Sequence, residues 1–160
     1  FQLEIWVVDP YLTDKEATAL GVRRVSLEQA FREAFVVSNH LPNLPDLAGT
    51  LGRDLFASMR PGAVFINTGR GAQVVEADLA TVLSVRDDLT ALLDVTDPEP
   101  PDPDSPLYRL PNAHLSSHIA GSLNNEVGRL ADYAIDAFLE WRAGATPRYA
   151  VTSSMLARMA

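Results

Sequence analysis

The sequence predicts an α/β fold on a parallel, doubly wound sheet, incomplete at its start and followed by a long C-terminal helix. Three observations predict it. Short apolar runs rich in strand formers alternate with helix-patterned segments, as crossover units require. The runs are apolar throughout, which suits parallel strands covered on both faces. The residues with chemical potential gather just after those runs, where open parallel sheets bind ligands.

The elements follow in order. Leu3–Val8 (LEIWVV) reads as the first strand, closed by Asp9-Pro10. Val22–Val25 adds a short edge strand. Ser26 and Gln29 have capping-box spacing and open a short helix. Ala34–Ser38 is the second buried strand, followed by the proline-punctuated loop His40–Pro45. Asp54–Met59 forms a short helix before the turn Arg60-Pro61-Gly62, and Ala63–Asn67 is the third strand. Glu76–Val85 is helical, Thr90–Asp94 is the fourth strand, and Asp97–Pro106 is a proline- and aspartate-rich loop. Ala113–Ser116 is a fifth strand. A long helix runs from Ser122 to Ala143, with Val127, Leu130, Ala131, Ala134, Ile135 and Phe138 on one apolar face. Gly144 ends it, and Pro147–Ala160 is a tail.

The net charge of −8 argues against nucleic-acid and anionic-membrane partners, since no basic patch denser than Arg23-Arg24 offsets it. The chain has no cysteine, so disulfide and thiolate chemistry are excluded. No metal-ligand cluster is evident, and none is expected. No apolar run approaches the ~20 residues that span a bilayer. Phe1–Val8 lacks the basic flank and cleavage site of a signal peptide. A cytoplasmic location is the expectation.

Four residues carry candidate chemistry. Asp9 ends the first strand, where a carboxylate can accept hydrogen bonds from a cofactor ribose or simply form the turn before Pro10. Arg70 lies between Gly69 and Gly71 in a tight turn after the third strand. A guanidinium there can grip a carboxylate with two parallel bonds, or serve as a surface ion-pair partner. His118 sits between the fifth strand and the long helix, and histidine suits proton exchange near neutral pH. Glu99 stands between Pro98 and Pro100 on a stiffened loop. A locally packed histidine and a solvated loop acid are the plainer readings of these two.

Several separated motifs, in order, resemble the cofactor half of the D-isomer-specific 2-hydroxyacid dehydrogenases, from about Leu3 to Ala150. They are Val8-Asp9-Pro10-Tyr11, His40-Leu41-Pro42, the run Met59 to Gly71, Leu93-Asp94-Val95 with Glu99-Pro100, and Ser105-Pro106-Leu107 through Pro111-Asn112 to His118-Ile119-Ala120-Gly121. The resemblance implies a Rossmann-like fold and NAD as cofactor. It implies that Arg70 binds the substrate carboxylate, that His118 is the general acid/base, and that Glu99 pairs with His118. It places Asp94 against the nicotinamide carboxamide and makes Asp9 the ribose-binding acid. It lines the cofactor with Pro10, Leu41, Pro42, Thr68 and Gly121. Formate dehydrogenases of the same fold carry a glutamine where Glu99 stands. Val75 departs from the acidic or amide residue usual after the arginine turn, and Leu44, Leu47, Leu92 and Leu93 also depart.

The expected activity is NAD-dependent interconversion of a small D-2-hydroxy acid and its 2-keto acid, of the glyoxylate/hydroxypyruvate-reductase kind. The competing expectation is a non-catalytic NAD(H)-sensing protein resembling the family's corepressors. The resemblance also implies a homodimer. It implies a strand, a G-x-G-x-x-G turn and a helix before Leu3, which this sequence does not contain. Residues 1–121 are therefore expected to be a partial NAD-binding domain, and residues 122–160 a helix and tail returning to a substrate domain. The chain is expected to be a piece of a longer one, or a remnant completed by another copy. By itself it is expected to be inactive and to leave two strand edges unpaired.

Overall fold

The computed structural model describes residues 2–156 and 159. Its elements are β1 (Trp6–Val7), α1 (Asp14–Leu20), β2 (Arg23–Arg24), α2 (Leu27–Glu33), β3 (Val36–Asn39), α3 (Arg53–Ser58), β4 (Val64–Asn67), α4 (Glu76–Val85), β5 (Thr90–Leu93), β6 (Ala113–Leu115), α5 (Asn125–Arg142) and α6 (Ser153–Leu156). All strand pairs are parallel, as the apolar runs predict. The strands form two separate sheets, β1-β2 and β3-β4-β5-β6. Among the described residues, nothing pairs with β1 opposite β2 or with β3 opposite β4, which matches the two expected free edges.

The core lies on one side of the larger sheet. Phe31 of α2, Phe56 of α3 and Phe65 of β4 meet edge to face, with ring centroids 5.6 Å (Phe31–Phe56) and 5.0 Å (Phe56–Phe65) apart. Leu79, Val82 and Leu83 of α4 close the same cluster. Arg86 Nη2 donates to the Met59 carbonyl and pairs with Asp88, fastening the end of α3 to the start of β5. The loop through Pro106–Tyr108 adds Leu107 to the cluster.

Several expectations need correction. Coverage on both faces fails: Val36 is 48% exposed and Leu92 38%, because they point to the face opposite α2, α3 and α4. The helix that could cover that face, α5, buries none of its residues, and Val127, Leu130, Ile135 and Phe138 stand exposed. The first strand is Trp6–Val7 rather than Leu3–Val8, because its single neighbour β2 is only two residues long. Ser26 Oγ accepts from the Gln29 N–H, but the Gln29 amide turns to Glu33, so the reciprocal half of that capping box is absent. The complete box is Thr13 with Glu16, and it opens α1, a helix the apolar pattern did not reveal. Its sequence, DKEATAL, buries only Ala17 and so carries no apolar stripe. The tail contains a further short helix, α6.

Candidate functional site

The carboxyl ends of β3, β4, β5 and β6 carry the site. Strand β4 ends in buried Asn67, whose carboxamide shapes the following turn. Its Oδ1 accepts from Gly69 N–H (3.1 Å) and Asn39 Nδ2 (3.0 Å), and its Nδ2 donates to the Arg70 carbonyl (3.1 Å). Asn39 Nδ2 also donates to Gln73 Oε1, and Gln73 Nε2 donates to the Pro42 carbonyl. Asn39 Oδ1 accepts from the Leu41 N–H. Three buried amides thus lock the Leu41-Pro42 loop to the Arg70 turn, with their hydrogen-bonding groups turned on one another. Sequence reasoning overlooked all three. The available signal was an amide ending each of two apolar strands, where a solvated turn would tolerate almost any polar residue.

Thr68 is half-buried in this turn, and Arg70 is exposed. Arg70 Nη1 donates to the Gly69 carbonyl at 2.7 Å, and among the described residues its guanidinium makes no ion pair. The fork therefore keeps donors for an incoming anion. Gly71 fixes where the turn lies. A β-carbon there would fall 2.0 Å from the Thr96 carbonyl carbon and 2.5 Å from the Asp97 nitrogen. Only glycine allows the Arg70 turn to press on the backbone that leads to Glu99.

Glu99 and His118 meet directly. His118 Nδ1 lies 2.7 Å from Glu99 Oε1, and both side chains are nearly half exposed. A carboxylate on Nδ1 leaves Nε2 as the ring atom able to exchange a proton elsewhere. His118 adopts a left-handed backbone (φ 55°), sterically costly for a β-carbon-bearing residue. Asp94 maintains it. The Asp94 carbonyl accepts from His118 N–H at 3.0 Å. Its buried carboxylate accepts from Ser116 Oγ (2.6 Å), Ile119 N–H (2.8 Å) and Ala120 N–H (2.9 Å). Burial pushes the Asp94 pKa up, but these hydrogen bonds and the His118 charge outweigh it, so the value is lowered overall.

Of the remaining sequence candidates, Asp9 and Pro10 lie apart from this cluster, whereas Gly121 directly follows Ala120 of the Asp94-held loop. Asp9 and Pro10 follow β1, on the smaller sheet, and are exposed. Asp9 Oδ1 accepts from the Tyr11 N–H at 2.7 Å. With Val8, Arg24, Val25, Ser26 and Gln29 they line an open cavity of about 450 Å³. Gly121 is exposed, with open space where a β-carbon would stand. No group of three or more potential metal ligands occurs among the described residues. No described helix is long and apolar enough to cross a membrane.

Comparison with known proteins finds relatives of the chain. Residues 1–120 match the family model described as D-isomer specific 2-hydroxyacid dehydrogenase, NAD binding domain. The chain is 31% identical over 121 residues to D-3-phosphoglycerate dehydrogenase of Archaeoglobus fulgidus, covering 76% of this chain and 23% of that protein. It is 36% identical over 121 residues to glyoxylate/hydroxypyruvate reductase A of Serratia proteamaculans, covering 75% of this chain and 38% of that one. Among solved structures, a phosphoglycerate oxidoreductase from Rhizobium etli superposes with a TM-score of 0.82 at 27% identity, over 94% of this chain and 45% of that one. The chain spans less than half the length of each.

Proposed function

The chain belongs to the D-isomer specific 2-hydroxyacid dehydrogenase family, in its NAD-binding domain, and from that membership we propose that the intact protein is an NAD-dependent dehydrogenase of a small 2-hydroxy acid. The observation that carries the reading is the 2.7 Å contact between His118 Nδ1 and Glu99 Oε1. It anchors the orientation of a side chain able to carry a proton and sets a carboxylate against its ring.

The residues divide the work as follows. Arg70 binds the substrate carboxylate with its free guanidinium donors and draws electron density from the adjacent carbonyl. His118 delivers a proton to that carbonyl oxygen in reduction and removes it from the hydroxyl in oxidation. Glu99 holds the ring in place through Nδ1. Asp94 sets the backbone of the His118 loop, and one carboxylate oxygen retains capacity for a carboxamide. The acid at the end of β1 and the cavity beside it fit a ribose: Asp9 offers acceptor oxygens and disfavours a 2′-phosphate, which selects NAD over its phosphorylated form. Pro10, Leu41, Pro42, Thr68 and Gly121 line the remainder of the cofactor path. The cofactor, when bound, supplies the hydride. Glyoxylate and hydroxypyruvate are the proposed substrates. A homodimer in the cytoplasm is the proposed setting, with residues 122–160 returning to a substrate domain.

The test is NADH oxidation by the intact protein that carries this chain, with glyoxylate, hydroxypyruvate and pyruvate, and the reverse reaction with D-3-phosphoglycerate. Turnover with a 2-keto acid that vanishes in H118A supports the proposal. Tight NADH binding with no turnover of any of the four would overturn it in favour of a nucleotide-sensing role.

A further inference from the structure

Glu76, the first residue of α4, stands six positions beyond Arg70, outside every motif assigned above. Its carboxylate reaches across to another loop: Oε1 accepts the Asp97 N–H at 2.7 Å. Asp97 is two residues before Glu99. The same backbone is pressed from beneath by Gly71, whose missing β-carbon would fall inside the Thr96–Asp97 peptide. Thr96 Oγ1 closes the bend by donating to the Pro98 carbonyl at 2.9 Å.

We propose that Glu76 is a positioning residue for the acid/base pair: it clamps the Asp97 amide and thereby holds Glu99 against His118. This rests on the reading of His118 as the proton carrier. The geometry explains why one clamp is insufficient. Gly71 prevents the loop from moving inward, toward the Arg70 turn, but sets no limit outward. The Glu76 hydrogen bond supplies the outward limit, and it does so from the segment that also carries Arg70. The Arg70 turn and the loop to Glu99 are thereby both anchored on one short stretch, Gly71 to Glu76, by a hydrogen bond and a close backbone contact. Burial, and after it the negative charges of Asp97 and Asp102, push the Glu76 carboxyl up, while the Asp97 N–H bond opposes them.

Three variants separate acceptor, reach and charge. E76Q keeps an acceptor oxygen at the same reach without charge. E76D keeps the charge but is one methylene short. E76A keeps neither. The readouts are hydrogen exchange at the Asp97 amide and the low-field proton resonance of the His118–Glu99 hydrogen bond, both by NMR on the intact protein. Asp97 exchange is expected to quicken about tenfold or more in E76D and E76A, as loss of the hydrogen bond implies, and the His118–Glu99 resonance to broaden or vanish. E76Q is expected to keep both near the parent. If E76A does not fold, the contrast of E76D with E76Q decides. Unchanged Asp97 exchange in E76D and E76A overturns the proposal, as does equal loss in all three. Turnover is measured alongside: a protein that fails to turn over any keto acid yet shows the exchange pattern keeps the clamp and loses the dehydrogenase reading.

Discussion

His118 and Glu99, 19 residues apart in the chain, share a 2.7 Å hydrogen bond through Nδ1 and Oε1. The bond joins the loop after β6 to the loop after β5. The first is shaped by the Asp94 carboxylate and the second by the close approach of Gly71. The pair is thus the meeting point of two independently supported loops, and its orientation is inherited from buried atoms although its own side chains are partly exposed.

Replacing His118 by alanine is expected to lower kcat for 2-keto acid reduction by ~10²–10⁴, the usual contribution of a positioned proton donor. E99Q keeps an acceptor but removes the charge, and is expected to lose about tenfold or more. In each case NADH affinity should stay near the parent value. Steady-state kinetics with a separate NADH titration checks both; a large loss of NADH affinity in either variant would count against the assigned roles.

Gly71→Ala is expected to be among the most damaging single-methyl additions in this chain. The added carbon would overlap backbone atoms of Thr96 at 2.0 and 2.1 Å, which cannot swing aside as a side chain does. A cost of about 3 kcal/mol or more is expected. At Gly69 the nearest atoms are Asn39 Nδ2 and O at 3.2 Å, so Gly69→Ala should be milder. Urea denaturation of both variants ranks them, and equal midpoints would remove the argument that Gly71 sets the spacing of the two loops.

The apolar runs and their punctuation made β4, β5 and α4 legible to within a residue, because each is buried and bounded by a strong turn signal. The same logic missed α1, whose stability comes from the Thr13–Glu16 capping box rather than an apolar stripe. It also overstated coverage of the sheet: an apolar strand face looks alike whether or not a helix from elsewhere lies on it. For the site, single residues were legible only as types. The roles proposed for Arg70, Glu99 and His118 come through the family resemblance, since spacing in sequence does not reveal that residues 19 apart touch. Asn39, Asn67 and Gln73 were invisible for a related reason. An amide carries no reactive chemistry, and its importance appears only when it is seen buried and hydrogen-bonded to two other loops.

Asp94 links stability to pH through the His118 loop. Its folded-state pKa is lowered, so the stabilisation is present above the ordinary carboxylate value of ~3.9 and is lost as pH falls through the folded value. D94N leaves one of the Ile119 and Ala120 N–H donors facing an amide N–H₂. It is expected to cost about 1–3 kcal/mol at neutral pH and to shallow the acid limb of the stability curve. Hydrogen exchange at the Ile119 and Ala120 amides should accelerate with it. Protection unchanged at both amides would show that the carboxylate does not hold the loop.

The pair Arg86–Asp88 gives the clearest pH window. The Arg86 hydrogen bond, aided by the Gly62 N–H and the Arg86 charge, holds Asp88 at about 2. A depressed carboxylate value stabilises the fold above the ordinary value of ~3.9, and that support is lost as pH falls toward 2. D88N removes the titrating group while leaving Arg86 its bonds to the Ala57 and Met59 carbonyls. The parent should therefore lose stability relative to D88N across this interval, and the two curves should run parallel above it. Chemical denaturation at a series of acid pH values checks the difference. The sign is the decisive part: if D88N instead loses stability faster than the parent as pH falls, Asp88 is not the group that the arginine holds ionised.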